Sequence, residues 1–229
     1  MMNKRGFTLA EVLITLGIIG VIAAMTVPTL MNNSTEMEFR SAFKKGLASL
    51  NQAVTMNVAI DNVDFDSLTD SSVGDTERDS LYALLANRMT TAKFLNAADT
   101  SQDTKLLNIG GATGVGSGAT ADGSPSNGTG NVAMFFTDGS AIIWKPGDVS
   151  TAARTGGIKV IWDVNGSKKP NRLTHCGSTT PPNRAAKATQ DTDSCNDKNI
   201  VIRDQFSVTL KGNRALPNGK AAHYLFYMK

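Results

Sequence analysis

Between Phe7 and Met31 the sequence reads FTLAEVLITLGIIGVIAAMTVPTLM, and every residue except Glu11 is apolar, small or hydroxylic. No other stretch constrains the fold as strongly. At about 1.5 Å per residue, some 25 helical residues reach about 37 Å, enough to cross a hydrocarbon core of about 30 Å. Lys4 and Arg5 precede the run. Under the positive-inside rule they stay cytoplasmic, so the chain is expected to be single-pass with a cytoplasmic N-terminus. A secretory signal peptide has the same basic-then-apolar layout but is cut after its apolar core at a small-x-small site, for which Ala23-Ala24 would serve. The length of the run, and its continuation into helix-forming sequence, favour a retained anchor.

A carboxylate inside such a span is costly unless it lies near the interface, is protonated or is paired. No Lys, Arg or His lies between Phe7 and Met31. A cut between Gly6 and Phe7 would create a cation, because the new α-amino group of Phe7 would lie one helical turn from Glu11. The two charges could meet within one chain or between copies shifted along the axis. A Glu in the first turn also suits the helix dipole.

KRG-FTLAEVLITLGIIG resembles the N-terminus of type IV prepilins and of the pseudopilins of type II secretion. The matching features are a short basic leader, Gly before the cut, Phe as new N-terminus, Glu at the fifth mature position and Pro28 near the end of the apolar run. The resemblance implies that a membrane prepilin peptidase cuts after Gly6 and that Phe7 becomes N-methylated. It implies that Glu11 serves in assembling subunits into a helical filament, a pilus (fimbrium) or a pseudopilus. The implied partners are other pilins in a homo- or hetero-polymer, the peptidase, an inner-membrane assembly platform, and membrane lipid before assembly. The implied location is the bacterial inner membrane for the precursor, then the cell surface or the periplasm. Gly17, Gly20 and Pro28 are expected to lend the helix flexibility.

After Pro28 the pattern becomes amphipathic. Phe39, Phe43, Leu47, Leu50, Val54 and Val58 recur at spacings of three and four, one face of a helix. Arg40, Lys44, Lys45, Asn51 and Gln52 fall largely on the other side. One helix is therefore expected from residue 7 to about 59. The segment 75–89 has Leu81, Leu84, Leu85 and Met89 at helical spacing, with Asp75 or Thr76 as an N-cap. The stretch 110–131 is rich in Gly but has neither the Lys-Ser/Thr of a P-loop nor the flanking strand and helix of a dinucleotide site, so an exposed loop is expected. Asn127-Gly128-Thr129 matches the N-glycosylation acceptor pattern.

The C-terminal part reads as strands. Residues 131–145 are two apolar runs around Asp138-Gly139, a hairpin signal. Further strands are expected in 157–166 and 200–210, and 223–228 would close the sheet as an edge strand. The expected fold class is α+β, a long N-terminal helix packed on a C-terminal antiparallel sheet, pilin-like. The expected organisation is a leader at 1–6, a membrane and assembly helix at 7–31, and an amphipathic helix at 32–60. A connecting region at 61–130 and the sheet at 131–229 follow, the latter with an inserted loop at 176–195. TDGSAIIW, DVNGSKKPN (163–171) and RDQFSV (203–208) also resemble the C-terminal half of pilins and pseudopilins. Two departures are the roughly thirty residues between Pro-Asn and Asp-Gln-Phe, and Arg203 where Gly is usual.

Asp163 and Asn165, with Asp204, raise the question of calcium, which some pseudopilins bind. Ser167, Lys168 and Lys169 follow, and two cations discourage a third, so a turn held by Asp and Asn side chains is expected and no cofactor. Cys176 and Cys195 enclose 18 residues. In an extracytoplasmic domain a disulfide is the natural reading, worth about 3 kcal/mol by loop entropy. A zinc site would need more ligands than His175 and the two cysteines.

Charge is unevenly placed. Residues 31–144 carry 7 basic and 13 acidic side chains, and residues 145–229 carry 14 and 6. The basic end motivates an alternative function, a minor or tip pilin touching DNA, a surface or secreted cargo through exposed loops. His175 and His223 are the only histidines. With no recognisable nucleophile motif beside them, an enzyme is not expected.

Overall fold

The computed structural model describes residues 8–69, 80–95, 131–149, 156–168, 171, 173–176 and 195–227. The chain divides into two units, Met1–Glu38 and Phe39–Lys229. Helix α1, Leu9–Asp61, contributes to both and runs through Pro28 without a break in its assignment.

In the first unit α1 buries almost nothing. Leu9, Leu13, Ile14, Leu16, Ile19 and Leu30 are each more than 60 % exposed. The hydroxyls within this apolar stretch are satisfied by the helix itself. Thr15 Oγ1 donates to the Val12 carbonyl at 3.0 Å and Thr26 Oγ1 to the Ile22 carbonyl at 3.0 Å. Back-bonding of this kind removes the dehydration cost of a hydroxyl in an apolar setting.

The second unit is a six-stranded antiparallel sheet with helices against it. Its strands are β1 (Thr91–Leu95), β2 (Val132–Phe136), β3 (Ala141–Trp144), β4 (Ile158–Asp163), β7 (Gln205–Lys211) and β8 (Arg214–Pro217), in that spatial order. Between β4 and β7 the chain makes a separate two-stranded sheet, β5 (His175–Cys176) with β6 (Ile200–Val201). Asp138-Gly139 turns the β2–β3 hairpin. Gly139 has φ +91°, and Asp138 Oδ1 accepts from the Ser140 N–H at 3.0 Å.

The expected stripe of α1 meets this sheet. Phe43, Leu47, Leu50 and Val54 are at most 1 % exposed and join Trp162, Phe206, Val208 and Met134 in one core. Each of these buried apolar side chains contributes about 1.5–3 kcal/mol. Phe43 stacks on Phe206 with ring centroids 4.2 Å apart. Gly46 lets the helix backbone approach, since a Cβ there would overlap the Trp162 indole, whose Cζ2 would lie at 2.8 Å.

Two asparagines on α1 act on the domain rather than on solvent. Asn51 accepts from the Ala215 N–H at 2.7 Å and donates to the Ala215 carbonyl at 3.2 Å. Its carboxamide thus pairs with the backbone of edge strand β8 much as another strand would. Asn57, 2 % exposed, donates to the Leu84 carbonyl at 2.8 Å. That carbonyl belongs to helix α2, Leu81–Ala86.

Several expectations need correction. Residues 223–228 were expected as an edge strand, but Lys220–Tyr227 form helix α3. Strand β8 already occupies that edge, Gly219 (φ +78°) turns the chain, and Ala221, Ala222 and Leu225 give α3 a helical buried face. The segment 200–210 is two strands in different sheets. Helix α2 is capped by Ser80, whose Oγ accepts from the Ala83 N–H at 3.1 Å, and residues 70–79 lie outside the described residues. The sheet is buried on both faces, with Leu95, Ala133, Ile143 and Ile161 forming a second cluster. The nearly unbroken apolar runs VAMFF and AIIW are the sequence signature of that condition.

Gly46→Ala should gain about 1 kcal/mol of helix propensity and lose about 1–3 kcal/mol to overpacking against a fully buried indole. We expect net destabilisation, read as a lower urea midpoint. Gly46→Val, with a larger overlap and a smaller propensity gain, should lower the midpoint further.

Candidate functional site

The N-terminal site is built from the first turn of α1. Glu11 N–H donates to Thr8 Oγ1 at 3.3 Å, and the Thr8 N–H donates to Glu11 Oε2 at 2.8 Å. Thr8 Oγ1 also donates to Glu11 Oε2 at 2.8 Å. This is a capping box, in which residue and cap satisfy each other's orphan donors. Its signature in the sequence is Thr-x-x-Glu before an apolar run, independent of any charge partner of Glu11. The carboxylate therefore has a local role whether or not a cation meets it. A cut before Phe7 would leave both Thr8 and Glu11 in place. Gly6 and Phe7 lie outside the described residues.

The helix beyond this cap is long and apolar enough to cross a membrane. Leu9–Pro28 spans 20 residues at a mean hydropathy of 2.2, with none of that window buried inside the chain. A Cβ at Gly17 or Gly20 would meet nothing within 4 Å. Neither glycine is therefore required by packing within the chain.

At the other end, strand β4 closes with Asp163, which is fully buried. Its Oδ1 accepts from the Asn165 N–H at 3.1 Å and its Oδ2 from Gln205 Nε2 at 3.0 Å. Asp204, also fully buried, accepts on Oδ2 from the Asn171 N–H at 2.7 Å. Asn171 sits at φ +46°, a left-handed conformation that Asn tolerates better than most residues. The Asp204 carbonyl accepts from the Val164 N–H at 2.9 Å, so Asp163, Val164 and Asn171 are pinned to 204–205. Thr174 Oγ1 exchanges bonds of 2.9 Å with the N–H and the carbonyl of Arg203. The structure thus brings Asp163, Asn165 and Asp204 into one cluster. Burial, and secondarily the charge of Asp204, pushes the Asp163 carboxyl well above the usual carboxylate range. Both Asp163 oxygens accept from N–H donors, as in a turn held by a side chain.

Cys176 of β5 is joined to Cys195, with Cα atoms 5.4 Å apart. The segment they enclose, 177–194, lies outside the described residues, as do 96–130 with the glycine-rich stretch and Asn127. His175 Nδ1 lies 3.1 Å from the Leu173 carbonyl. His223 is on α3 and exposed.

Comparison with known families gives one finding. Residues 1–27 match the family model described as the prokaryotic N-terminal methylation motif. This is the type IV prepilin and pseudopilin signal, and it supports a pilin-like or pseudopilin precursor. The motif points to a structural protein rather than an enzyme, and with the apolar helix it fits an inner-membrane precursor. Comparison with curated proteins and with solved structures gives no significant match.

The raised Asp163 carboxyl sets the sign of a pH effect. Between its ordinary and its raised value the folded chain holds more protons than the unfolded chain, so stability falls as pH rises through that window. Asp163→Asn should flatten this fall when urea midpoints are compared across pH. An equally steep fall in the variant would assign the dependence to another group.

Proposed function

We propose that this chain is a filament subunit of a type IV pilus or pseudopilus, stored in the inner membrane and polymerised through α1. The observation that carries the reading is the methylation motif at residues 1–27, within which the apolar helix begins at Leu9 and is left uncovered by the chain itself. Prepilin peptidase cuts between Gly6 and Phe7, and Phe7 is methylated. Removal of the leader takes away Lys4 and Arg5, the two cations that hold the precursor's N-terminus in the cytoplasm.

In the membrane, lipid covers the side chains of Leu9–Pro28. In a filament, the same side chains pack against neighbouring copies. Transfer between two apolar surroundings costs little hydrophobic energy, so van der Waals packing and polar pairs decide the outcome. Glu11 then has two roles, capping its own helix through Thr8 and meeting the Phe7 amine of a neighbour. Gly17, Gly20 and Pro28 give the helix the freedom to adjust between the two settings. The globular unit travels with the helix and forms the exposed part of the polymer.

The mature N-terminus tests the processing step. Mass spectrometry should find methylated Phe7, and an intact Met1 in assembled material would refute it. The two roles of Glu11 separate by substitution. Gln preserves the capping box but carries no charge, whereas Ala loses both. If charge pairing drives assembly, Glu11→Gln and Glu11→Ala should both be processed and both yield few filaments. Filament yield retained by Gln and lost by Ala would leave capping as the sole role.

A further inference from the structure

Three Asn-Gly pairs stand in the sequence, Asn127-Gly128, Asn165-Gly166 and Asn218-Gly219. Such a pair can lose its carboxamide by ring closure. The next backbone nitrogen reaches the side-chain carbon, and Gly puts no Cβ in its way. Asn127-Gly128 lies outside the described residues. The other two pairs sit in opposite surroundings.

Asn165-Gly166 is held against closure. The Gly166 N–H, the group that would have to attack, donates to the Asp163 carboxylate. Gly166 has φ +65°, and a Cβ there would lie 2.7 Å from the Gly139 carbonyl oxygen. This peptide is packed on the β2–β3 turn and has no room to swing.

Asn218-Gly219 joins β8 to α3. The Asn218 N–H donates to the Ser207 carbonyl of β7 at 2.9 Å, which fixes the main chain on one side. On the other side the Gly219 carbonyl accepts from the His223 N–H at 3.1 Å, whereas the Gly219 N–H precedes the helix and takes no part in its ladder. The Asn218 side chain reaches β4. Lys159 Nζ donates to Asn218 Oδ1 at 3.2 Å and is itself held by donation to Thr209 Oγ1 at 2.9 Å. A cation fixed on that carbonyl oxygen draws charge from Cγ. It is also in place for the negative charge that forms on Oδ1 when a nucleophile adds.

We propose that Asn218 is a site of spontaneous deamidation, assisted by Lys159. The Gly219 nitrogen gives up its proton to water and bonds to Asn218 Cγ. The Cγ–Nδ2 bond then breaks, a proton returns to the leaving nitrogen, and ammonia departs from a closed succinimide. Water opens that ring at either carbonyl, which leaves an aspartate or an isoaspartate at position 218. Both products set a carboxylate beside Lys159, so a hydrogen bond to a neutral acceptor becomes an ion pair. The isoaspartate also routes the main chain through Cβ immediately before α3. Water is the only co-reactant, and the inference does not rest on the filament reading.

The test ages the full-length chain in a polyoxyethylene detergent at mildly alkaline pH and maps its peptides by mass spectrometry over several days. Conversion at Asn218 should appear as a gain of one mass unit, resolved into two isomers, and should outpace Asn165. In urea above the unfolding transition both pairs lose their surroundings and should convert at similar rates. Lys159→Met should slow Asn218 in the folded chain about tenfold, the worth of one hydrogen bond to a charged group. It should leave Asn165 and both urea rates unchanged. Circular dichroism checks that this variant folds, and the comparison of Asn218 with Asn165 needs no variant. The proposal is overturned if Asn218 converts no faster than Asn165 in the folded chain, or equally fast in Lys159→Met. A permanent loss of the mass of ammonia, with residues 159 and 218 cross-linked, would also overturn it, since the lysine itself would then be the nucleophile.

Discussion

The contact between the amphipathic half of α1 and the sheet is the constraint on which the globular unit rests. Phe43 lies flat on Phe206, and Gly46 lies under Trp162. Neither the helix stripe nor the sheet face could remain in water alone. The fit is close enough that the helix position selects its residues down to a missing Cβ. Asn51 and Asn57 then fix the helix by hydrogen bonds to β8 and α2. These bonds set register and direction where apolar packing is non-directional.

The other half of the same helix follows the opposite logic. Its apolar side chains have no cover within the chain. An exposed apolar surface of this extent marks a membrane or an assembly interface. Its polar side chains Glu11, Thr15 and Thr26 are satisfied locally, by threonine back-bonding and by the Thr8–Glu11 box. A span built this way can change apolar surroundings without exposing an unpaired donor. That property suits a subunit stored in lipid and used in a protein polymer.

Different parts of the molecule were legible in the sequence to different degrees, for physical reasons. The apolar helix, the Phe and Leu stripe and the Asp-Gly hairpin were readable because each is a local pattern. The Thr8–Glu11 cap was equally local and readable from Thr-x-x-Glu. By contrast, HYLFYM has the composition of a strand, and only the prior occupation of the edge by β8 makes it a helix. Strand β8 itself contains Pro217, which lowers its apparent strand character. Asn51 looked like a solvent residue because its partner, Ala215, is 164 positions away.

The sequence by itself determined the apolar segment, the methylation motif, the amphipathic stripe and the α+β class. Those are properties of hydropathy period and short motifs, which act within a few turns of chain. Tertiary structure alone decided that Asp163 and Asp204 share one buried cluster and that Gly46 lies against the Trp162 indole. It also decided that Lys159 reaches Asn218. Each of these depends on which distant segments meet, and that is settled by the joint packing of all the faces rather than by any one of them.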